Sequence, residues 1–203
     1  GDIELHIYLG NGRRKSRLWR YGRLSNTQFK IIQMSTSLFD LTGKIALVTG
    51  ATHGLGMAMA RGIGRAGAKV IINGNSSQEK IENAVSQLNL EGIHSHGYRF
   101  DVTDEKSVMD SVSKIESEVG PIDILVNNAG IIKRTPLAEM AVEDFEQVIN
   151  VDLISPFIVS KSVIKGMIAR KSGKIINICS MMSELGRNTV GAYASAKGGL
   201  KML

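Results

Sequence analysis

Short apolar runs alternate with longer amphipathic stretches along this chain from residue 44 to its last residue. The apolar runs predict strands at 45–49, 70–73, 95–100, 124–127 and 174–179. The stretches between them predict helices at 57–67, 78–90, 104–119 and 142–170. Strands that alternate with helices form a parallel sheet covered on both faces, with ligands bound at the carboxyl ends of the strands. The pattern therefore predicts a single α/β domain with a doubly wound parallel sheet.

A glycine-rich turn follows the first predicted strand. Residues 49–56 read Thr-Gly-Ala-Thr-His-Gly-Leu-Gly, and a helix and a second strand come next. Such a unit presents backbone N–H groups at a helix N-terminus, where a pyrophosphate binds. The spacing is Gly-x-x-x-Gly-x-Gly rather than the more familiar Gly-x-Gly-x-x-Gly. We expect a nucleotide site here, against the alternative of a turn without ligand, and its residues are Gly50, Thr52, His53, Gly54, Leu55 and Gly56.

A second candidate site lies near the end of the chain. Tyr193 and Lys197 are one helical turn apart, which places the phenol and the ammonium on one face of a helix. A free tyrosine has a pKa of about 10, and a neighbouring cation brings a phenol into the range useful for acid–base catalysis. Ser180, at the end of the last apolar run, is placed to hold a substrate oxygen. The same Tyr-x-x-x-Lys spacing occurs on many exposed helices, so the pair alone leaves both interpretations open.

The composition agrees with one globular domain. The chain has 203 residues, of which 43% are hydrophobic. No apolar run reaches the length of about 18 residues that a membrane helix needs, so we expect a soluble protein without a membrane partner. The single cysteine, Cys179, forms no internal disulfide and favours a reducing, cytoplasmic location. The sequence predicts no metal site.

The net charge of +6 is concentrated in the first part of the chain. Residues 1–33 contain seven basic and two acidic residues, whereas residues 34–203 contain 18 basic and 17 acidic ones. The charge therefore gives no argument for a nucleic-acid partner. Residues 1–33 are interpreted as a non-native or disordered basic head before Met34, with a transit peptide as the alternative. Residues 34–203 are interpreted as the folded domain.

Four motifs in this order resemble the short-chain dehydrogenase/reductase family. They are the turn at 49–56, Asp101-Val102, Asn127-Asn128-Ala129-Gly130, and the set Ser180, Tyr193 and Lys197. The resemblance, which runs from about residue 38 to the last, implies a Rossmann-type fold with Tyr193 as acid–base, Lys197 as its activator and Ser180 as carbonyl orienter. It also implies cofactor contacts by Asp101, Val102, Asn128, Ala129, Gly130, Tyr193 and Lys197. Family members continue beyond the Tyr/Lys helix, so the resemblance implies that the C-terminal part of the domain is missing.

One catalytic position departs from the family. The fourth catalytic residue of the family is an Asn in the long middle helix, and Asp152 stands at the matching position. That Asn helps to hold a water in the proton relay, whereas an ionised Asp accepts hydrogen bonds without donating them. Asp152 is therefore a candidate catalytic residue whose effect on the relay stays open.

The end of the second predicted strand bears on the choice between NAD and NADP. Family members that use NAD carry an acidic residue there, and Gly74 occupies that position. Asn75 follows, where members that prefer NADP often carry Arg. Since no carboxylate repels a 2′-phosphate, NADP is favoured and NAD remains possible, with an ordinary turn as the alternative interpretation. Asp101 is likewise open to a second interpretation, as a neighbour of the next helix N-cap.

Two further segments, 130–136 and 183–187, resemble the sugar-acid dehydrogenases of the family. Arginine offers a fork for a carboxylate, so Arg134 is the first candidate anchor, with Arg187 and Lys133 behind it. Glu184 is expected to accept hydrogen bonds from polyol hydroxyls, and Ser180 to bind the substrate carbonyl. The implied reaction is reversible hydride transfer between nicotinamide and C5 of gluconate or a related sugar acid.

Three alternatives remain. In the first, the substrate is a 3-oxoacyl thioester or another carbonyl compound. In the second, the chain binds the cofactor without catalysis, and in the third, the basic residues 1–33 bind nucleic acid. The family resemblance also implies a homo-oligomer when the protein is full length, packed through the middle and Tyr/Lys helices.

Overall fold

Five parallel strands form the central sheet. The computed structural model describes residues 37–203, so the interpretation of residues 1–33 as a head lies outside the described residues. The strands are β1, Ile45–Val48; β2, Lys69–Gly74; β3, Ser95–Arg99; β4, Ile124–Asn127; and β5, Lys174–Asn177. Their order is β3-β2-β1-β4-β5, and every neighbouring pair is parallel. The chain builds outward from β1 to one edge and then to the other, which confirms the predicted doubly wound sheet.

Helices connect the strands. Within residues 37–203 they are α1, Gly54–Arg65; α2, Gln78–Leu90; α3, Glu105–Glu118; α4, Val142–Ile149; α5, Ser155–Arg170; and α6, Gly191–Met202. Short 3₁₀ turns lie at Ser37–Phe39 and Met181–Ser183. The side chains of Ser77 and Asp104 accept first-turn N–H groups, which explains why α2 and α3 begin where they do. None of the helices in this part of the chain combines the length and hydropathy needed to span a bilayer.

The helical stretch predicted at 142–170 is confirmed, and it contains a π-helical turn that the sequence did not predict. A π-helical segment, Asn150–Ile154, separates α4 from α5. Pro156, in the first turn of α5, has no N–H to donate to the carbonyl four residues earlier, so the α-helical ladder breaks there. The Ser155 hydroxyl donates instead to the Val151 carbonyl at 2.7 Å. Asp152 lies within this segment and is buried in the interior of the protein.

Each face of the sheet has its own apolar core, because alternate strand residues point to opposite faces. One cluster joins Leu47, Ile71 and Leu125 to side chains of α3 and α5. The other joins Val48, Val70 and Val126 to side chains of α1 and α2. A smaller cluster packs α4 against α6 through Val148, Ala192 and Ala196, with Tyr193 at its margin. The helix that carries Tyr193 and Lys197 is therefore held by apolar contacts independent of the sheet.

Candidate active site

The glycine turn after β1 has a backbone that favours glycine. Gly50 and Gly54 have φ of +61° and +58°. A Cβ on Gly50 would lie 2.9 Å from the Cα of Ala129, and one on Gly56 would lie 2.4 Å from the Gly50 carbonyl oxygen. Helix α1 begins at Gly54, and its N-cap, His53, makes no side-chain cap bond. The first N–H groups of α1 are thus free of a capping side chain, as an anion site requires.

A cleft of about 870 Å³ lies over this turn. Its walls come from the segments that follow β1, β2, β3 and β4, the carboxyl ends of the parallel strands. Predicted cofactor residues in the lining are Gly50, His53, Gly54, Leu55, Gly56, Asn75, Asp101, Val102, Asn128, Ala129 and Gly130. The open helix terminus and the close glycine backbone fit the pyrophosphate of a dinucleotide. The wall supplied by Glu143, Glu146 and Asn150 was missed from sequence, because exposed helix residues give no distinguishing signal.

Thr52 does not line the cleft. Its Oγ1 lies 3.1 Å from His53 Nδ1, and its methyl group would be 2.7 Å from a Cβ placed on Gly74. Gly74 at the end of β2 is therefore required for the packing of Thr52. The same closeness leaves no room for a carboxylate side chain at that position without a shift of Thr52.

Asp101 and Asn75 form a connected pair on the wall of the cleft. The Asn75 amide donates to Asp101 Oδ2 at 2.9 Å. The other carboxylate oxygen accepts the Thr103 hydroxyl at 2.7 Å and the Thr103 N–H at 2.9 Å. Hydrogen bonding by Thr103, against the opposing effect of partial burial, holds the pKa of the Asp101 carboxyl below its usual range. Asp104 is the N-cap of α3, three residues after Asp101.

Thr49 is a structural residue of the site that sequence reasoning missed. Its hydroxyl oxygen accepts the N–H groups of Asn128 and Ala129, each at 3.0 Å. The Asn128 side chain in turn donates to the carbonyls of Thr49 and Gly50 at 2.9 and 3.1 Å. The loop after β4 is thereby fastened to the glycine turn after β1. Only its place at the start of the glycine motif marked Thr49 in the sequence.

A second cavity, of about 480 Å³, adjoins the first. Leu55, Asn128, Gly130 and Ile131 line both spaces. The predicted catalytic residues Asp152, Ser180, Tyr193 and Lys197 all line the second one, together with Arg134 and Arg187. The fold thus brings together side chains from the π-helical segment, the segment after β5 and α6.

Lys197 is nearly buried, with 4% of its surface exposed. Its Nζ donates to the Ile178 carbonyl at 3.0 Å and lies 3.3 Å from Asp152 Oδ2. It lies 5.8 Å from the centroid of the Tyr193 ring. The ammonium is therefore held beside the tyrosine by a carbonyl and a carboxylate from two other segments.

Asp152 is completely buried, with 0% of its surface exposed. Its Oδ1 accepts the Ile131 N–H at 2.7 Å. Burial raises the pKa of the Asp152 carboxyl above its ordinary value, against the opposing effects of the Ile131 N–H and the Lys197 ammonium. A Cβ on Gly130 would lie 2.8 Å from Asp152 Oδ2, so glycine at position 130 leaves the space that the carboxylate occupies.

Ser180 is held by a neighbour that sequence reasoning missed. The Ser180 hydroxyl oxygen accepts the Met182 N–H at 3.1 Å. Ser183 Oγ accepts the Ser180 N–H at 3.2 Å and donates to the Lys197 carbonyl at 2.9 Å. Ser183 therefore joins the backbones of Ser180 and Lys197. Its signal in the sequence is the spacing of a capping box, Ser-x-x-Ser.

The structure places some of the predicted substrate residues in the cavity and others outside it. Arg134 and Arg187 line the cavity, and neither has a carboxylate partner within residues 37–203. Lys133 is paired with Asp144 instead. Glu184 is exposed, forms an ion pair with Lys201 and is absent from the cavity lining, because the turn after Ser183 directs it to the surface beside α6. In the same part of the chain, no group of three or more His, Cys, Asp or Glu side chains is arranged to hold a metal ion.

Comparison with protein families decides the assignment. The family model described as short chain dehydrogenase matches residues 44–203. The chain belongs to this family. The match includes both the glycine turn and the Tyr/Lys helix, so the family resemblance inferred from the motifs is confirmed.

Several relatives of this short-chain dehydrogenase are named for sugar acids. The chain is 69% identical over 170 residues to 2-dehydro-3-deoxy-D-gluconate 5-dehydrogenase of Formosa agariphila, a match that covers 84% of this chain and 64% of the relative. It is 46% identical over 166 residues to 5-keto-D-gluconate 5-reductase of Escherichia coli, covering 82% of this chain and 65% of the relative. The chain therefore spans somewhat less than two thirds of these proteins.

A solved structure agrees with the fold. Gluconate 5-dehydrogenase from Burkholderia cenocepacia, in complex with NADP and tartrate, matches with a TM-score of 0.80 and 41% identity. The match covers 83% of this chain and 66% of that one. The Rossmann-type fold predicted from the motifs is confirmed by this likeness.

Proposed function

We propose that this protein is an NAD(P)-dependent oxidoreductase that interconverts D-gluconate and 5-keto-D-gluconate, or the corresponding 2-keto-3-deoxy sugar acids. The observation that carries the proposal is the meeting of Ser180, Tyr193 and Lys197 in a cavity that shares a wall with the glycine-turn cleft. A carbonyl in that cavity lies next to the space that suits a dinucleotide. Proximity of the two reactants is the main requirement for hydride transfer.

Each catalytic side chain has a distinct task. The nicotinamide supplies or accepts the hydride. Tyr193 gives or takes the proton at the substrate oxygen, and the Lys197 ammonium stabilises negative charge on its phenol and binds the cofactor ribose. Ser180 accepts a bond from Met182 N–H, which leaves its own hydrogen to donate to the substrate oxygen.

NADP is the proposed cofactor, with NAD as a poorer alternative. The absence of a side chain at Gly74 supports this, because an acidic residue there would repel a 2′-phosphate. The relative from Burkholderia cenocepacia, whose structure contains NADP, supports it further. Asn75 and His53 are the cleft residues proposed to donate hydrogen bonds to that phosphate.

The carboxylate of the substrate is proposed to bind Arg134 and Arg187. Both line the cavity that contains Tyr193, and neither is neutralised by a carboxylate within residues 37–203. An arginine offers a planar pair of donors that matches a carboxylate. The names of the sugar-acid relatives agree with this chemistry.

The proposal is tested by following NADPH oxidation by the full-length gene product. The substrates compared are 5-keto-D-gluconate, a 2,5-diketo-3-deoxy sugar acid and a 3-oxoacyl thioester, each also with NADH. Turnover of a sugar acid with NADPH is expected, and the kcat/KM values decide between the two sugar acids. Turnover of the thioester alone, or of no compound by a protein that binds NADPH, contradicts the sugar-acid assignment.

We also propose that a second copy of this protein covers one face of α5. Phe157, Ile164 and Ile168 form an exposed apolar stripe along it, with Ile168 67% exposed. Ile168→Glu is expected to lower the molar mass of the full-length protein in light scattering. Leu90→Glu makes the same kind of change at an exposed site outside α5 and is expected to leave the mass unchanged. Equal masses for wild type and Ile168→Glu contradict an interface at this stripe.

A further inference from the structure

We propose that Asp152 is a positioning residue whose carboxylate holds two donors at once, the Lys197 ammonium and the Ile131 N–H. Asn, the usual residue of the family at this position, would then be a poor substitute in this chain. The expected loss of activity on changing Asp152 rests on the proposed function. The expected loss of its contacts with Lys197 and Ile131 does not.

The two donors approach different oxygens of the same carboxylate. Ile131 N–H reaches Oδ1 at 2.7 Å, and Lys197 Nζ lies 3.3 Å from Oδ2. No aligned hydrogen bond to Oδ2 is formed within residues 37–203, so its interaction with Lys197 is ionic. Since Asp152 is fully buried, bulk water does not replace either interaction when its acceptor oxygen is removed.

An amide of the same shape satisfies only one of the two donors. Asn has a single oxygen acceptor, and its other terminal group is itself a donor. If the oxygen faces Ile131, the NH₂ group points at the Lys197 ammonium. If the oxygen faces Lys197, the NH₂ group opposes the Ile131 N–H at a distance fit only for an acceptor. The first orientation replaces the attraction between Oδ2 and the Lys197 ammonium with a repulsion between donor groups, and the second leaves the buried Ile131 N–H without its acceptor.

The two donors belong to the two walls of the site. Ile131 lies in the loop after β4 and lines both the cofactor cleft and the catalytic cavity. Lys197 lies on α6 beside Tyr193. Asp152, on the π-helical segment between them, is the shared acceptor, and Gly130 leaves room for it. Removal of one acceptor therefore loosens one wall relative to the other.

Other titratable groups around Asp152 and Lys197 line the two cavities or form ion pairs of their own. Arg134, Arg187 and Cys179 line the same cavity, and Glu143 and Glu146 of α4 line the cofactor cleft. Asp144 of α4 is paired with Lys133, and Glu184 beside α6 is paired with Lys201. Within residues 37–203, Asp152 is the only carboxylate at ion-pair distance from Lys197.

The test compares Asp152→Asn with wild type in the full-length protein, by kinetics and by the Kd for NADPH measured through its fluorescence. Asp152→Asn is expected to lower kcat/KM by about tenfold to a hundredfold and to weaken NADPH binding severalfold. Asp110→Asn, which removes an exposed carboxylate paired with Lys106, is the matched control and is expected to change neither. An Asp152→Asn protein that equals wild type in both measurements overturns the proposal.

The readouts separate this proposal from the proposed function. If wild type binds NADPH but turns over no sugar acid, the function fails, and the Kd comparison alone then decides the role of Asp152. If circular dichroism shows that Asp152→Asn does not fold, Asp152→Ala is compared with formate and with formamide added. Formate, which has two acceptor oxygens, is expected to restore NADPH affinity. An equal effect of the two additives, or no effect of either, overturns the proposal.

A pH profile adds a measurement that a purely structural role would not change. Protonation converts the Asp152 carboxylate into a group with one acceptor fewer, like Asn. Because burial raises its pKa, this loss occurs above the ordinary range of an aspartate as the pH falls. The kcat/KM of wild type is expected to fall on that acid side, and the profile of Asp152→Asn to lack this limb. Identical limbs in both proteins overturn the titration of Asp152 as its cause.

Discussion

The cofactor cleft and the catalytic cavity share a wall but are built differently. The cleft depends on backbone: Gly50 and Gly54 have positive φ, and Gly56 lies against the Gly50 carbonyl. The cavity depends on side chains, above all the buried pair of Lys197 and Asp152. The glycine backbone of the cleft lies in one turn of the chain, whereas the Lys197–Asp152 pair of the cavity joins segments remote in sequence.

This difference predicts how substitutions impair the cofactor cleft and the catalytic cavity. In the cleft, a Cβ added at Gly50 or Gly56 obstructs the turn, whatever the chemistry of the side chain. In the cavity, shape can be retained while a proton or an acceptor is removed, so isosteric changes are the informative ones. Substitutions in the cleft should therefore affect mainly cofactor binding, and substitutions in the cavity should affect mainly turnover.

The largest effect is expected from Tyr193→Phe, which removes the proton-carrying oxygen and keeps the ring. In the full-length protein kcat should fall by about 100-fold to 10,000-fold, while the Kd for NADPH changes far less. Steady-state kinetics and fluorescence titration measure the two. Tyr98→Phe, which removes a hydroxyl bonded to Glu118 outside both cavities, is the control. Full turnover by Tyr193→Phe would contradict its role as the acid–base.

Gly56→Ala is expected to impair cofactor binding in the cleft. Its Cβ would meet the Gly50 carbonyl oxygen at 2.4 Å and Asn128 Nδ2 at 2.5 Å, so the turn must shift. The Kd for NADPH should rise by about tenfold to a hundredfold. Gly62→Ala lies in the same helix with nothing within 4 Å of its Cβ, and should instead stabilise the protein by about 1 kcal/mol. Thermal unfolding and NADPH titration compare the two, and similar results for both would contradict the packing described for the turn.

A smaller effect is expected from Arg134→Met and Arg187→Met. Each should raise the KM for a sugar acid by about tenfold and change kcat less, because the arginine–carboxylate interaction is present in both ground and transition state. Lys133→Met, which removes a cation already paired with Asp144, serves as the control. If Lys133→Met raises KM as much as the arginine variants, the carboxylate anchor has been misassigned.

The smallest effect is expected from Asp101→Asn. Hydrogen bonding lowers the pKa of Asp101 in the folded protein, so its stabilising contribution is present above the unfolded value of about 3.9 and is lost as the pH falls. Asp101→Asn should lower the free energy of unfolding at pH 7 by less than about 1 kcal/mol. The difference from wild type should shrink toward pH 3 in urea titrations. A difference that grows on acidification would have the wrong sign for this mechanism.

Much of the fold was predictable because its signals are local. The strand at 124–127 and the helix at 78–90 were predicted with the bounds that the structure shows. The π-helical turn within the helix at 142–170 was not predicted, although Pro156 follows it, because a single proline does not distinguish a π-helical turn from an ordinary kink. Glu184 was expected at the substrate, but Lys201, one α6 turn beyond Lys197, pairs with it at the surface.

The sequence by itself determined the alternation of strands and helices, the glycine turn and the family, because these depend on periodicity and on residues that are close along the chain. Only the tertiary structure decided that Lys133 is neutralised, that Ser183 joins Ser180 to Lys197, and that Asp152 faces both Lys197 and Ile131. Apart from the contact between Ser183 and Ser180, these interactions join different segments of the chain. Their energies depend on burial and on the number of acceptors within reach, quantities that exist only once the chain is folded.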